Sequence, residues 1–457
     1  MMEGVSGQQM LIGLLIGIIL LIFMILKTKI HAFLALIIAA LTVGIVGGMT
    51  PADTITAIQT GFGSTLGNIG VIIGFGVMMG QIFEISGAAE KMAKTFLKIF
   101  GKKNEELALS LTGFLVSIPI FCDSGFVILS PIAKAISKRT KKSIVGLGVA
   151  LASGLVITHT LIPPTPGPLG VAGTFGVDVG QFILLGIVIA LPLAIAVMVY
   201  AKYIGKKIYQ LPSENGEDWE RPAYQEPVYD LKNSESDKNL PSAFVSFLPI
   251  ILPIILILFN TVLKAMGLTD GIYSILIFLG TPIVAVAIGL VVAIYTLALH
   301  TDKKTVISEM EKGIKSAGII VFVTGGGGAL GEVLRASGVG TYIAEGIAAT
   351  AIPVIVLPFI IATLIRFVQG SGTVAMITSA GITAPIVAAA GGNMLLGAFA
   401  ACMGSFFFSY FNDSFYWVVN RTIGIEDTKE QIRVWSLPTT IIWAMGFVEL
   451  LILNIFM

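Results

Sequence analysis

The second half of this chain repeats the first half at a constant shift of 251 positions. Gly74 and Gly80 fall on Gly325 and Gly331 at this shift. The other identities are the pairs Thr50–Thr301, Thr54–Thr305, Gly67–Gly318, Gly76–Gly327, Ser86–Ser337, Gly87–Gly338 and Ala93–Ala344. So many matches at one shift indicate an internal duplication. In an apolar chain, a duplication of this kind is typical of transporters that bind substrate between two structural repeats.

Composition places the chain in a lipid bilayer. Of its 457 residues, 55% are hydrophobic and only 12% are charged, against about 25% charged in soluble domains. The net charge of +1 gives no indication of nucleic-acid binding. Cys122 and Cys402 lie in apolar runs, so we expect free thiols. The three histidines are far apart in sequence, so we expect neither a metal site nor a cofactor.

The hydrophobic runs predict an all-α polytopic membrane protein with two inverted repeats. Each repeat is expected to contain about five transmembrane helices, one re-entrant hairpin and one broken helix. The first repeat spans residues 1–204 and the second spans 242–457. Between them, residues 205–241 form a polar, Pro- and Glu-rich cytoplasmic linker without helical periodicity. Residues 11–26 read as a first transmembrane helix and not as a signal peptide, because Lys27 and Lys29 follow directly and no cleavage site does.

Basic residues support the inversion. In the first repeat they cluster near 91–103, 138–142 and 202–207, all in loops that the positive-inside rule places in the cytoplasm. The loops at the equivalent positions of the second repeat, 337–351 and 388–393, contain no Lys or Arg. If the first repeat crosses the membrane an odd number of times, the second repeat must have the opposite orientation in the membrane. We therefore predict about ten crossings and two hairpins, with both termini outside.

Four segments interrupt the apolar runs with Pro, Gly and polar residues. They are 119–125 and 369–373, each in the middle of a predicted hairpin, and 159–168 and 410–414, each within a predicted broken helix. Irregular backbone at membrane depth is tolerated only where protein or a water-filled cavity satisfies its hydrogen bonds. We expect the four to converge, and their half-helix N-termini to suit a carboxylate.

The polar residues at these interruptions are the candidate site. The substrate-binding candidates are Asp123, Ser124, Gly125, His159, Thr165, Arg366, Gly370, Ser371, Gly372, Thr373, Asn412 and Ser414. The candidates for carrying a coupled proton are Asp413 first, then Asp123, with His159 as a partner. An anionic substrate would meet like charge at the two aspartates, and protonating one of them would relieve it.

Charged residues within apolar runs are costly and usually functional, but three of them have structural alternatives. Arg366 also fits a position near the outer interface, and His159 also fits a neutral core residue. Glu332 fits a helix end better than the site. Residues 325–328 (Gly-Gly-Gly-Gly) superficially resemble a phosphate loop, but no Gly-Lys-Ser/Thr follows, so close helix packing is the better interpretation.

Several stretches resemble the gluconate permease family, within the ion-transporter superfamily of inverted-repeat carriers. They are GFVILSPIA (125–133), THTLIPPTPGP (158–168), TGGGGAL (324–330), GSGTVAMITSAGITAP (370–385) and FNDSFYWVVNRTIG (411–424). The resemblance implies an elevator-type, proton-coupled uptake carrier in a bacterial inner membrane. Family members associated with gluconate have a Glu at the first hairpin tip. This chain has Asp123 followed by Ser124, so a smaller acid such as glycerate also fits.

The expected function is secondary active transport of a small organic acid anion, because the chain has no nucleotide-binding motif. The alternative is a sodium-coupled symporter for a carboxylate or an amino acid such as D-serine, since unwound carbonyls and Asn412 also suit sodium. An intramembrane enzyme and a passive channel fit the sequence less well. The expected partners are the substrate, the coupling ion and the bilayer; the sequence leaves the oligomeric state open, with a homodimer as one option.

Overall fold

The computed structural model describes residues 6–28, 30–100, 104–213, 218–226, 240–299, 301–339, 342, 353–410 and 413–457. The first half contains α1 (Gly7–Phe23), α2 (Ala32–Val46), α3 (Pro51–Ser86), α4 (Ala88–Phe100), α5 (Glu105–Val116), α6 (Cys122–Thr140), α7 (Ile144–Leu161), α8 (Pro166–Phe175) and α9 (Val179–Lys207). Strands β1 (Leu211–Pro212) and β2 (Trp219–Glu220) follow.

The second half also contains one helix that is much longer than its neighbours. It contains α10 (Ala243–Ala265), α11 (Ile272–Leu279), α12 (Pro282–Thr296), α13 (Lys303–Ser337), α14 (Val356–Gln369), α15 (Gly372–Ala389), α16 (Met394–Gly404), α17 (Ser414–Thr422), α18 (Thr428–Gln431) and α19 (Leu437–Phe456). The longest helix of each half ends in the same way. Gly87 after α3 and Gly338 after α13 both adopt the left-handed conformation, with φ of 72° and 78°, which favours glycine at a helix C-terminus.

Helices α3 and α13 pack against each other in antiparallel fashion through small residues. A Cβ atom on Gly61 would collide with the carbonyl oxygen of Gly328, and one on Gly313 would lie 2.9 Å from the carbonyl oxygen of Val77. Residues further along α3 therefore contact residues nearer the start of α13, which is the pattern of an antiparallel pair. The glycines at 325–328 therefore serve close helix packing, as the sequence analysis favoured, and not a phosphate loop.

Each of the four interrupted segments is a break between two helices. Residues 117–121 separate α5 from α6, and 162–165 separate α7 from α8. Residues 370–371 separate α14 from α15, and 405–413 separate α16 from α17. The pair α7–α8 lies in the centre of the molecule, and 94% of its most apolar 18-residue segment is buried. The breaks therefore lie among packed helices, as irregular backbone in a membrane protein requires.

Six helices in the described part of the chain are long and apolar enough to cross a membrane, or eight if two bent pairs each count as one span. The bent pairs are 51–86 and 272–296. Four shorter apolar helices, Gly7–Leu21, Phe33–Val46, Val356–Phe367 and Met394–Gly404, fall below that length. Of these, Val356–Phe367 lies in one arm of the second predicted hairpin, and Met394–Gly404 is half of a predicted broken helix. The count of about ten crossings remains a prediction.

The described part of the polar linker is more ordered than its composition indicates. Helix α9 continues through Lys207, and β1 pairs with β2 in antiparallel register. Gln210 donates a 2.6 Å hydrogen bond to the carbonyl of Ile423, and Arg221 makes two hydrogen bonds of 2.9 and 2.7 Å to Glu430. We call residues 208–226, as far as they are described, the strap. It connects the end of the first half to the loop after α17.

Candidate substrate-binding site

A cavity of about 330 Å³ lies where the helix breaks meet. Residues from both halves of the chain line it. They are Cys122, Asp123, Val156, His159, Thr160, Arg366, Gly370, Ser371, Gly372, Thr373, Ser405, Phe406, Asp413, Ser414, Phe415, Trp435 and Thr439. The cavity is within the size range of small-molecule sites, and its wall is mostly polar near the helix breaks.

The turn between α14 and α15 forms one wall of the cavity. Gly370 has a φ of 87°, which lets the chain reverse within two residues. Ser371 follows as the N-cap of α15, and its hydroxyl accepts a 3.3 Å hydrogen bond from the backbone N–H of Val374. The Gly-Ser-Gly sequence thus produces a tight hairpin that brings its backbone close to the cavity.

Arg366 and Asp413 form a buried ion pair in the wall. Nη2 of Arg366 lies 2.6 Å from Oδ2 of Asp413, and the two side chains are only 6% and 12% exposed. The hydroxyl of Ser409 also donates to Oδ2 of Asp413, and the N–H of Phe415 donates to Oδ1 at 3.2 Å. Asp413 is therefore the N-cap of α17, and it satisfies that helix end itself.

Three residues that line the cavity have buried nitrogen atoms without a hydrogen-bond partner in the described part of the chain. These atoms are Nε and Nη1 of Arg366, Nδ1 of His159 and Nε1 of Trp435. Arg366 thus uses one arm of its guanidinium on Asp413 and leaves two nitrogens unpaired. Because a buried donor without an acceptor costs about 1–3 kcal/mol, this arrangement favours a site that a ligand completes.

Asp123 lies at the start of α6 and faces the same cavity. The hydroxyl of Ser414 donates a 3.0 Å hydrogen bond to its Oδ1, and the thiol of Cys122 lies 3.6 Å from its Oδ2. No basic side chain within the described ranges forms an ion pair with Asp123. The N-cap of α6 is Phe121, which makes no side-chain capping hydrogen bond, so this helix end is more open than that of α17.

The structure brings most of the predicted site residues together. Asp123, His159, Arg366, Gly370, Ser371, Gly372, Thr373, Asp413 and Ser414 all line the cavity. Gly125 and Thr165 do not: Gly125 is buried against Leu155, and the hydroxyl of Thr165 donates to the carbonyls of His159 and Ile162 at 3.1 and 2.9 Å. Asn412 and the side chain of Ser124 lie outside the described residues.

The structure gives the positions of the three ionisable residues for which the sequence allowed a structural role. Arg366 is buried in the cavity wall and does not lie near the outer surface. Glu332 forms a salt bridge of 2.6 Å with Arg335 in the last turns of α13, near the helix end. His159 is buried, its ring lies 5.6 Å from that of Phe121, and it also lines the cavity.

Sequence reasoning missed several residues that line the cavity or support it. Those in the wall are Cys122, Val156, Thr160, Ser405, Phe406, Phe415, Trp435 and Thr439. Ser409 supports Asp413, and its backbone N–H donates to Thr439 at 3.0 Å. Trp435 and Thr439 lie around the start of α19, far in sequence from the four interruptions, so the interruptions did not mark them. Thr160, inside the 159–168 interruption, and Ser405 and Ser409, close to the 410–414 interruption, gave a usable signal.

Comparisons with known proteins agree with this architecture. The model of a family described as GntP family permease matches residues 9–456. The chain is 51% identical to an uncharacterized permease of Haemophilus influenzae, over 97% of this chain and 92% of that one. It is 34% identical to a gluconate permease of Pseudomonas aeruginosa, over 99% and 100%. The fold resembles that of the YdaH transporter of Alcanivorax borkumensis, with a TM-score of 0.63 at 14% identity, covering 92% and 96%.

Apolar helices that break around a buried polar cavity, together with the match to a permease family, define a multi-pass membrane transporter and not an enzyme. The family match extends over nearly the whole chain and coincides with a full-length relative at more than 30% identity. The chain belongs to the GntP permease family. This confirms the resemblance that the sequence showed.

Proposed function

We propose that the protein takes up a small organic acid anion, a gluconate-like sugar acid or glycerate, together with a proton, by an elevator-type alternating-access mechanism. The observation that carries the proposal is the guanidinium of Arg366. It is buried in the cavity wall with Nε and Nη1 unpaired in the described part of the chain. Relatives named gluconate permease give the substrate class further support.

In this proposal Arg366 recognises the substrate carboxylate. A guanidinium offers five N–H donors in a planar fork that matches a carboxylate, and charge-assisted pairs of this kind are the strongest hydrogen bonds in proteins. The ion pair with Asp413 occupies Nη2 and fixes the orientation of the group. The remaining nitrogens are then oriented before substrate arrives, which lowers the entropy cost of binding.

Small hydroxyl side chains would bind the hydroxyls of the substrate. Ser371, Thr373, Ser405 and Ser414 line the cavity beside Arg366. Each hydroxyl can donate one hydrogen bond and accept others, so these residues can adapt to a chain of alternating hydroxyls. A site built to hydrogen-bond hydroxyls strongly rejects analogues that lack them, because its own polar groups are then left unpaired.

The contacts of the two aspartates favour Asp123 over Asp413 as the proton carrier, which reverses the order suggested by the sequence. Asp413 has Arg366 as its counter-ion, whereas no basic side chain in the described part of the chain forms an ion pair with Asp123. A carboxylate without a counter-ion is expensive to keep charged in a desolvated site, and an arriving anion increases that cost. A proton on Asp123 would therefore bind cooperatively with the substrate.

The antiparallel packing of α3 on α13 supports the inverted orientation of the two halves. These helices occupy equivalent positions in the repeat, and a two-fold axis in the membrane plane would pair them in opposite directions. An axis along the membrane normal would instead pair them in parallel. Alternating access then follows by exchanging the conformations of the two halves around the central site, with the two hairpins as gates.

The runner-up is sodium-coupled transport of a carboxylate or an amino acid such as D-serine. Asp123 favours this alternative in one respect. An ammonium group on the substrate would supply the cation that Asp123 lacks, while Arg366 would still bind the carboxylate. Hydroxyls and carbonyls at the helix breaks are also ligands that a hard cation accepts.

Transport into proteoliposomes tests the proposal. Wild-type protein should accumulate labelled gluconate or glycerate under an inward pH gradient and ignore a sodium gradient. Arg366→Gln should abolish uptake, because it removes the carboxylate-binding charge. The matched control is Arg335→Gln, which removes an exposed arginine outside the cavity. Thermal melting of both variants reports whether they are folded. Uptake that follows sodium alone, or uptake unchanged in a folded Arg366→Gln protein, would contradict the proposal.

Topology can be tested separately from the substrate. Cysteines introduced at positions 215 and 345, in a background with Cys122→Ser and Cys402→Ser, should react with an impermeant maleimide from opposite sides of the membrane. Position 215 in the linker should label from the cytoplasm. Labelling of both from one side would rule out the inverted arrangement and leave the substrate question open.

A further inference from the structure

A π-helical turn leads into α19 and places Trp435 at the cavity. In the segment Ile432–Ser436, the N–H of Leu437 bonds to the carbonyl of Ile432, one residue further back than in an α-helix. The carbonyl of Arg433, which this shift leaves free, accepts a 2.6 Å hydrogen bond from the phenol of Tyr200. Single π-helical turns are frequent at functional sites, because they redirect a side chain at a cost in helix geometry.

Neighbouring aromatic rings fix the orientation of the indole. The ring of Phe415 meets that of Trp435 edge-on, with centroids 5.0 Å apart and planes at 87°. Phe415 in turn meets Phe126 edge-on at 6.0 Å. Trp435 is fully buried, and both Trp435 and Phe415 line the cavity. The indole is therefore held by packing on helices from both halves of the chain and has little freedom to rotate.

The indole N–H of Trp435 has no acceptor within the described ranges, although it is buried. Trp443, two turns further along α19, shows the usual arrangement: its Nε1 donates a 2.9 Å hydrogen bond to the hydroxyl of Thr363. Buried indole nitrogens usually find a partner. The contrast between these two tryptophans indicates that the acceptor for Trp435 comes from outside the described part of the chain.

We propose that Trp435 is a specificity-determining residue whose N–H donates to a hydroxyl oxygen on the substrate chain. The indole is a donor only, so it accepts nothing in exchange and selects for an oxygen with a free lone pair. Arg366 binds the carboxylate, and Trp435 reads whether the chain carries hydroxyls. The ligand class is therefore a hydroxylated carboxylic acid, in preference to an unsubstituted one. This inference rests on the proposed transport of organic acids.

The test is Trp435→Phe, which keeps an aromatic ring against Phe415 and removes only the N–H and part of the indole. Binding and uptake of gluconate, glycerate and propionate are measured for the wild type, for Trp435→Phe and for the control Trp443→Phe. We expect Trp435→Phe to weaken gluconate binding roughly ten-fold, as the loss of one buried hydrogen bond predicts. The Michaelis constant should rise by the same factor, the maximal rate should change little, and propionate binding should not change.

The outcomes separate this inference from the proposed function. If wild-type protein binds none of the three acids, the proposed function fails. If wild-type protein binds gluconate but Trp435→Phe weakens all three acids equally, the tryptophan only shapes the cavity and the inference is wrong. If Trp443→Phe gives the same selective loss as Trp435→Phe, the effect is one of packing along α19, and the inference is again overturned.

Discussion

The hydroxyl of Ser414 donates a 3.0 Å hydrogen bond to Asp123, a residue 291 positions earlier in the chain. Ser414 begins α17 in the second half, and Asp123 lies in the first turn of α6 in the first half. This contact is therefore a direct link between the helix break before α6 and the helix break before α17, one from each half of the chain.

We expect Ser414→Ala and Asp123→Ala to have non-additive effects on stability, because both remove the same hydrogen bond. Ser414→Ala alone should cost about 1 kcal/mol, and the coupling energy of the pair should lie at about 0.5–3 kcal/mol. Thermal unfolding of the detergent-purified single and double variants measures it. The control is Ser246→Ala, whose hydroxyl bonds within its own helix at 3.0 Å. Additive effects would show that the two residues are independent.

The two native cysteines provide a test of the cavity. Both are free thiols, as the sequence predicted. Cys122 lines the cavity, whereas Cys402 is fully buried against Met376. A small methanethiosulfonate should therefore inhibit uptake by modifying Cys122, and bound substrate should slow the reaction. Cys402→Ser should stay sensitive and Cys122→Ser should become resistant. A resistant Cys402→Ser protein would place the reactive thiol elsewhere.

Lys142 holds the base of the first hairpin through a buried charge cluster. Its Nζ lies 2.8 Å from Glu105 and 2.6 Å from Glu106, at the start of α5. Lys142→Met should lower the free energy of unfolding by about 3 kcal/mol, because it leaves two buried carboxylates without a counter-ion. Lys315→Met, on an exposed face of α13, should have almost no effect. Equal melting temperatures for the two variants would contradict this role.

The same cluster predicts a limit at high pH. Burial by itself lowers the pKa of Lys142, but attraction from Glu106 and hydrogen bonds to both carboxylates outweigh it and raise the pKa above the ordinary value of 10.5. A raised lysine pKa contributes stability that is fully present below that ordinary value and is lost as pH rises through the folded value. Wild-type stability should therefore fall more steeply above pH 10.5 than that of Lys142→Met.

Gln210 holds the strap against the second half of the chain. It is fully buried, it donates to the carbonyl of Ile423, and its own oxygen accepts a 2.8 Å hydrogen bond from Nε of Arg221. Gln210→Ala leaves both partners without this contact, so we expect faster hydrogen exchange throughout the strap and a loss of about 1–3 kcal/mol. Gln181→Ala, at the exposed start of α9, is the control. Unchanged exchange would show that the strand pair alone orders the strap.

The sequence predicted the helix breaks because their chemistry is local. Pro disrupts a helix interior and Gly is common where a helix ends, so the clusters at 163–168 and 370–372 marked interruptions in the sequence before any packing was known. Arg366 and Asp413 were identified as candidates for the same reason, since a charge in an apolar run is conspicuous. Their pairing was not predictable, because it depends on how a hairpin from one segment meets a helix break 47 positions later.

Other features had no local signature. Trp435 lies just before the last apolar stretch and far from the four interruptions, and only the shift to π-helical hydrogen bonding redirects its indole. The strap was predicted as an irregular linker because its stabilising contacts are tertiary. They come from Ile423 and Glu430, about 200 residues away. Contacts between distant segments determine such features, and a pattern within one window of sequence does not record them.

The charges in the cavity wall have an electrical consequence for the transport cycle. With His159 neutral, Asp123, Asp413 and Arg366 give the empty wall a net charge of −1. One monovalent anion and one proton add no net charge, so the loaded wall would carry the same value. Membrane voltage, which does about 2.3 kcal/mol of work per charge per 100 mV, would then act equally on the loaded and the empty movements. The voltage would change the fraction of carriers whose site faces each side of the membrane. Only the pH difference would drive accumulation of the substrate.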